Sequence, residues 1–140
     1  MLLTGNRTID AIFDAINQHD AAAMSRYYAA EARVWLVGVK NEMSAGGFET
    51  HARLLAAMPD TKVEVLNMSA SGPLVFVEWT RQGTHTGRFE QLAPTNNTVV
   101  LRGVSVYRLS GEKVTEERIY VDSQDLYGQL SVPRKRSGAG

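Results

Sequence analysis

The spacing of apolar residues changes from a helical period to a strand period about halfway along the chain, and this change constrains the fold most. Before residue 60, apolar side chains recur every three or four residues in three short segments. After it, four longer segments alternate between apolar and polar positions, and clusters of turn-forming residues separate them. Helices followed by consecutive strands predict an α+β domain, because long strands joined by short turns pair most easily as antiparallel neighbours.

Three helices are predicted in the first part of the chain. Thr8 is a candidate N-cap for the first helix, and Asp20 opens a second, short helix. The third helix is predicted over residues 48–58 and ends at Pro59, because a proline disfavours helical conformation in the residue before it. A strand is predicted at residues 32–38, between the second and third helices.

The four later strands are predicted at residues 61–70, 73–85, 98–109 and 113–122. We expect the helices to lie on one face of a curved, mainly antiparallel sheet. A cavity between the helices and the sheet is the expected ligand site.

Composition excludes several classes of function. The chain has 140 residues with 15 basic and 15 acidic side chains, and this balance argues against nucleic acid or an anionic membrane as the main partner. It has no cysteine, which excludes disulfides, thiolate nucleophiles and cysteine-based zinc sites. Its three histidines are scattered, so we expect no metal site. No segment has the apolar length of a signal sequence or a membrane span, which predicts a cytoplasmic protein.

Strand alternation groups side chains by face. On the strand at residues 73–85, one face carries Val75, Val77, Trp79, Arg81 and His85. On the last strand, one face carries Glu116, Arg118, Tyr120 and Asp122, and the other carries Glu117, Ile119 and Val121. Alternation does not say which face points inward. A cavity that contained Asp122, Arg118 and His85 would be reactive, because buried ionisable groups must pair or shift their pKa.

Three segments carry a resemblance to a known family: "AAMPDTKVEV", "VEWTRQGTHTGRF" and "RGVSVYRLSGEKVTEERIYVDSQDLYGQL". They contain a Pro-Asp pair after a helix, a G-T-H-x-G turn after a strand with Trp, a Gly-x-Lys-hydrophobic-x-Glu hairpin and a closing Gln-Leu pair. In this pattern the chain resembles the SnoaL-like polyketide cyclases of the nuclear-transport-factor-2-like superfamily, over residues 8–131. It departs from the family in "PTNNTV", which lacks the usual Gly, and in lacking a Pro-Gly start to the third helix.

The resemblance implies a cone-shaped α+β barrel with three N-terminal helices. We expect one domain over residues 1–131, and the basic run of residues 132–140 without aromatic side chains predicts a disordered tail. It implies a cofactor-independent cyclase of antibiotic biosynthesis that closes a ring in a polycyclic aromatic polyketide by an intramolecular aldol reaction. We expect a homodimer that forms through the outer face of the sheet.

The resemblance also implies site residues. It implies that Asp122 is the general acid/base, although Asp122 also precedes a predicted helix and would serve as its cap. It implies that His85 polarises the substrate carbonyl, although histidine in a turn between glycines is often a surface residue. From the residues alone, Trp35 and Trp79 are candidate core residues or walls of the pocket. Tyr28 lies at helical spacing from Met24 and is a candidate hydrogen-bond donor to an oxyanion.

The remaining candidates for substrate binding are Arg118, Tyr120 and Arg102, all on strands. Three other functions stay open at this point. The first is epoxide opening, which in this superfamily uses an Asp–Arg–Asp arrangement, and the second is hydroxylation of a polyketide. The third is a non-catalytic module that binds a small molecule.

Overall fold

A computed structural model describes residues 4–37, 48–89 and 91–131. These residues form, in chain order, α1 (Arg7–Asn17), α2 (Ala21–Ser25), β1 (Tyr28–Val37), α3 (Glu49–Ala57), β2 (Lys62–Ser71), β3 (Leu74–Thr84), β4 (Thr98–Ser110), β5 (Lys113–Val121) and α4 (Ser123–Ser131). The predicted tail at residues 132–140 lies outside the described residues, and the predicted limits of the domain stay a prediction.

The five strands form one sheet in the order β1-β5-β4-β3-β2. The strands β2 to β5 pair antiparallel with their neighbours in sequence, as the short turns between them predict. The strand β1 instead pairs parallel with β5. The α+β class and the curved, mainly antiparallel sheet with helices against it are therefore confirmed.

The helix starts were predicted with partial success. Asp20 caps α2 as predicted, since its side chain accepts a hydrogen bond from a backbone amide of the first turn. The prediction that Thr8 caps α1 is wrong. Asn6 is the cap, because its backbone is extended and its side chain accepts the amide hydrogen of Ile9. Thr8 lies inside the first turn, where its hydroxyl donates to the carbonyl oxygen of Glu112 at 3.0 Å.

Tyr28 belongs to a strand rather than to a helix. The sequence spacing placed it on a helical stripe with Met24, but α2 ends at Ser25 and Tyr28 begins β1. Its backbone lies beside Val114 of β5, and its side chain is buried. Pairing with β5 fits the general preference of aromatic residues for strands, and it turns the Tyr28 side chain into the core.

The core lies between the helices and the inner face of the sheet. α1 contributes Ile9, Ile12, Phe13 and Ile16, all of which are buried. The face of β3 that carries Trp79 and His85 points inward, as does the face of β5 that carries Glu117. The outer face of β5 carries Tyr120, whose side chain is 45% exposed.

Two of the family motifs join the end of α3 to the end of β3. A Cβ atom at Gly87 would lie 1.9 Å from the carbonyl oxygen of Ala56, so this position excludes any side chain. Asp60 accepts hydrogen bonds from the backbone N–H and the hydroxyl of Thr84, each at 2.7 Å. These two hydrogen bonds lower the pKa of Asp60, and the bond from the backbone N–H contributes most. The Pro-Asp pair and the first residues of the G-T-H-x-G turn are therefore held together.

Two side-chain amides pair with strand backbone where a neighbouring strand is missing. Asn17 donates to the carbonyl oxygen of Val63 at 3.0 Å and accepts its N–H at 2.7 Å, which covers the free edge of β2. Gln129 makes the same two bonds with Val100 of β4, both at 2.8 Å. Leu130 beside it is buried, so the Gln-Leu pair docks α4 on the sheet.

Candidate active site

A small cavity of about 20 Å³ lies between α1, α3 and the inner face of the sheet, which is room for about one water-sized group. Its walls combine aliphatic and aromatic side chains with an acid, a base and a guanidinium. The residues that line it are Phe13, Ile16, His51, Val63, Trp79, Arg81, Ser105, Tyr107, Glu117 and Ile119.

His51 and Glu117 form a buried pair in this cavity. Nε2 of His51, from α3, lies 2.8 Å from Oε1 of Glu117, from β5. Tyr28, from β1, donates its hydroxyl hydrogen to the same carboxylate oxygen, and its oxygen lies 3.1 Å from Nε2 of His51. Residue exposure is 3% for His51 and 0% for Glu117. Groups that are ionisable and this buried are commonly retained for function.

The surroundings of Glu117 favour its ionised form. Burial alone raises the pKa of a carboxyl group, because the charged form loses its hydration. The charge of His51 and hydrogen bonds from His51, Tyr28 and Ser105 outweigh this effect, so the pKa of Glu117 is lowered from its ordinary value of 4.5. Glu117 is therefore a carboxylate at neutral pH.

The two tyrosines near Glu117 stay neutral. Burial, followed by the negative charge of Glu117, raises the pKa of Tyr28 well above its ordinary value. The same two causes, in the same order, raise the pKa of Tyr107. Neutral phenols can donate a hydrogen bond to an oxygen that becomes negative during a reaction.

Arg81 is buried without a full set of partners. Only 6% of the residue is exposed, and its Nε and Nη2 atoms have no hydrogen-bond partner among the described residues. Burial lowers the pKa of Arg81 from 12.5 to about 10, while the nearby charge of Glu117 opposes this shift. The guanidinium is therefore charged at neutral pH, and an unpaired buried charge of this kind needs an explanation beyond packing.

Trp79 is held in one orientation at the cavity wall. Its Nε1 atom donates to the hydroxyl of Ser105 at 3.0 Å. A Cβ atom at Gly103 would lie 2.7 Å from Cη2 of the indole ring and 2.6 Å from the carbonyl oxygen of Tyr120. The absence of a side chain at Gly103 thus makes room for the ring.

A groove of about 600 Å³ lies on the outer face of the sheet, on the opposite side of β2 and β3 from the cavity. Lys62, Glu64 and Gln82 are among the residues that line it. Val63 and Arg81 line both the groove and the cavity, so they separate the two spaces.

The structure places the two predicted catalytic residues elsewhere. Asp122 is exposed, and its Oδ1 atom accepts the backbone N–H of Asp125 at 3.1 Å, so it caps α4. His85 is fully buried and not in a surface turn; its Nδ1 atom lies 3.0 Å from the hydroxyl oxygen of Thr95. Neither residue lines the small cavity. Their catalytic roles stay predictions that this geometry does not favour.

The predicted binding residues divide between the two faces of the sheet. Trp79 lines the cavity, and Tyr28 contacts the His51–Glu117 pair. The others lie on the outer face, where Arg118 stacks on Trp35 with its Cζ atom 4.6 Å from the ring centroid. Tyr120 and Arg102 are exposed on the same face. The structure therefore does not bring these residues to the cavity: Trp35, Arg118, Tyr120 and Arg102.

Sequence reasoning missed His51, Glu117 and Arg81 as a site. His51 counted only as one of three scattered histidines, and its partner Glu117 lies 66 positions away in the sequence. One signal was available. Glu117 shares its strand face with Ile119 and Val121, and an acid alone on an apolar face must be buried or lie at the rim of a core.

The described residues contain no group of three or more His, Cys, Asp or Glu side chains able to hold a metal ion. Within the same ranges, no helix has the length and apolarity needed to span a membrane.

Comparison with solved structures confirms the fold. A Streptomyces galilaeus protein described as a hydroxylase is 23% identical with a TM-score of 0.74, over 88% of this chain and 92% of that one. A Jannaschia protein described as a SnoaL-like polyketide cyclase is 17% identical with a TM-score of 0.75, over 96% and 98%. A Streptomyces antibioticus protein described as a polyketide cyclase is 22% identical with a TM-score of 0.66, over 89% and 96%. At these identities the likeness shows the fold alone.

A sequence search of curated proteins finds no match. The family model for SnoaL-like polyketide cyclases, in contrast, matches residues 6–130, which is almost the whole described chain. The chain therefore belongs to the SnoaL-like polyketide cyclase family.

Proposed function

We propose that this protein is a cyclase that removes a proton next to a carbonyl group of a polycyclic aromatic polyketide, so that the resulting enolate closes a ring by an aldol reaction. The observation that carries this proposal is the buried pair of His51 and Glu117, which shares one cavity with the charged guanidinium of Arg81. Membership of the family supports a polyketide as the substrate.

His51 is the proposed base. Its Nε2 atom faces the carboxylate of Glu117, which favours the tautomer with hydrogen on Nε2 and leaves the lone pair on Nδ1. The Nδ1 atom is buried and has no hydrogen-bond partner among the described residues. Glu117 then acts as a positioning residue, which orients the imidazole and stabilises the imidazolium that forms, as the carboxylate does in a catalytic triad.

The proposed reaction moves one proton and forms one bond. Nδ1 of His51 takes the proton from the carbon next to the carbonyl, and the enolate carbon attacks a second carbonyl of the same molecule. The new alkoxide then takes the proton from the imidazolium, which gives an isomer of the substrate. The phenol of Tyr107 and the charge of Arg81 would stabilise the negative oxygen, because both line the same cavity.

The product mixture tests this function. Wild type, His51→Gln and Asp122→Asn would be incubated with a panel of tricyclic polyketide esters, acids and epoxides. The masses of the products would be measured by mass spectrometry. We expect wild type and Asp122→Asn to form an isomeric or dehydrated product and His51→Gln to lose it. Loss in Asp122→Asn alone would return the base to Asp122.

A second candidate function is the opening of an epoxide. Glu117 and Arg81 line the same cavity, and this favours epoxide opening because an acid beside an arginine can activate water. This reaction adds the mass of one water molecule to an epoxide substrate. A gain of one oxygen would indicate hydroxylation instead. Substrates that bind and are never converted would indicate a non-catalytic binding module.

We also propose that two copies associate through the outer face of the sheet. Exposed apolar side chains lie on this face, with exposures of 37% for Phe76 and 45% for Tyr120. Its β5 side carries Arg118 and its β3 side carries Glu78, so a two-fold arrangement could set opposite charges against each other. Sedimentation equilibrium of wild type and Phe76→Asp tests this: we expect a dimer and a monomer, and a monomeric wild type would contradict it.

A further inference from the structure

Arg81 and Glu117 line the same small cavity without direct contact. Both border the space of about 20 Å³, and the negative charge of Glu117 favours the charged form of Arg81. Among the described residues, no hydrogen bond or ion pair joins the two side chains. Two buried ionised groups are costly unless each is paired, because burial removes the water that would otherwise solvate the charges. A group that bonds to both side chains would remove this cost.

Each of the two side chains presents unpaired hydrogen-bonding atoms. Nε and Nη2 of Arg81 lie on one edge of the planar guanidinium, and no described residue accepts from them. Oε2 of Glu117 is buried and has no hydrogen-bond partner in the same part of the chain, whereas Oε1 receives hydrogen bonds from His51 and Tyr28. The two side chains therefore offer two donors and one acceptor.

A neutral group that both donates and accepts fits these atoms. One oxygen atom can accept both N–H bonds of the Arg81 edge and donate its own hydrogen to Oε2 of Glu117. A chloride ion would accept from Arg81 but would lie against the carboxylate, and an ammonium ion would lie against the guanidinium. Water has both functions, and a cavity of about 20 Å³ holds about one water molecule. Three polar partners are the usual number for a buried water.

We propose that the cavity is a binding site for one ordered water molecule, which bridges the Nε and Nη2 edge of Arg81 to Oε2 of Glu117. The bridge joins the two buried charges as a water-mediated ion pair. It also holds the second oxygen of the carboxylate, while His51 and Tyr28 hold the first. The bridge requires neither a particular protonation state of His51 nor cyclase activity.

A crystal structure of wild type grown in sodium bromide tests the site directly. We expect one peak of electron density about 2.7–3.2 Å from Oε2 of Glu117 and from the Nε and Nη2 edge of Arg81, without an anomalous signal of bromide. A bromide signal at this position would show an anion site instead. A direct ion pair between Arg81 and Glu117, or no peak between them, would also overturn the inference.

NMR tests the same site in solution. A water molecule that stays bound gives nuclear Overhauser effects to nearby methyl groups, and Val63 and Ile119 line the cavity. We expect these effects in wild type and their loss in Arg81→Met. Because this variant keeps every hydroxyl group of the cavity, effects relayed through hydroxyl protons would persist in it, and unchanged effects would contradict the bridge. Arg108→Met, a surface variant on the outer face of β4, should match wild type.

The bridging water and the proposed cyclase fail separately. If wild type holds the water and His51→Gln still converts substrate, the proposed base is wrong and the water site stands. If His51→Gln loses turnover and wild type shows no bridging water by either method, the cyclase stands and the water site fails.

Discussion

Replacing Arg81 with methionine removes a buried charge and keeps most of the volume of the side chain. Burial lowers the pKa of Arg81 from 12.5 to about 10, even though Glu117 favours the charged form. A shift of this size means that the protein holds the charged form at a cost of about 3 kcal/mol, at about 1.4 kcal/mol for each pKa unit. In the variant, Oε1 of Glu117 keeps its hydrogen bonds from His51 and Tyr28.

We therefore expect Arg81→Met to be more stable than wild type by up to about 3 kcal/mol at pH 7, and to lose turnover. Urea unfolding followed by circular dichroism measures this as a higher midpoint with an unchanged slope. Arg108→Met is the matched control. Its side chain is half exposed and pairs with Glu116 at 3.6 Å, so its loss should change stability by no more than about 1 kcal/mol.

A folded Arg81→Met protein that is less stable than wild type by more than about 1 kcal/mol would contradict this expectation, because removal of an arginine that stabilises the fold lowers stability. In that case Arg81 would hold the fold together through contacts of its stem or its guanidinium. A more stable variant that retains turnover would show that the buried charge has no role in the reaction.

Three further changes test other parts of the structure. Glu117→Gln should destabilise the protein by about 3 kcal/mol at pH 7. Because the pKa of Glu117 is lowered in the folded state, the stability difference between wild type and variant is complete above pH 4.5 and shrinks as the pH falls below that value. Urea unfolding of both proteins from pH 7 to pH 3 measures this change. Gly87→Ala should lower the free energy of unfolding by about 3 kcal/mol or more, because the new methyl group clashes with Ala56. Gly128→Ala is at an open helical position and should raise the free energy of unfolding by about 0.5–1 kcal/mol. Equal thermal midpoints of the two variants would contradict both expectations. Asp122→Ala should cost about 1 kcal/mol as a lost helix cap and leave turnover unchanged, so a stable but inactive variant would restore its catalytic role.

The strand half of the fold was predictable because its signals are local. Alternation and turn residues placed the strand at residues 98–109 within one residue of β4, which runs from Thr98 to Ser110. Alternation also grouped Trp79, Arg81 and His85 correctly on one face. The parallel pairing of β1 was not predicted, since it joins segments that are far apart in the chain.

The site was less predictable because its partners meet only in the folded chain. On β5 the acid that is buried is Glu117, while the face with Arg118 and Asp122, which combined more kinds of polar residue, points outward or lies at the end of the strand. Which face turns inward depends on where the helices pack, and no local pattern contains that information. Asp122 shows the same limit, because helix capping and acid catalysis favour the same residue type at the same position.

The identity of the base is decided by the product assay on wild type, His51→Gln and Asp122→Asn with one substrate that wild type cyclises. We expect Asp122→Asn to cyclise it at close to the wild-type rate and His51→Gln not to cyclise it, while both variants remain folded by circular dichroism. Cyclisation by His51→Gln at the wild-type rate would contradict the claim that the buried histidine–carboxylate pair is the base of the reaction.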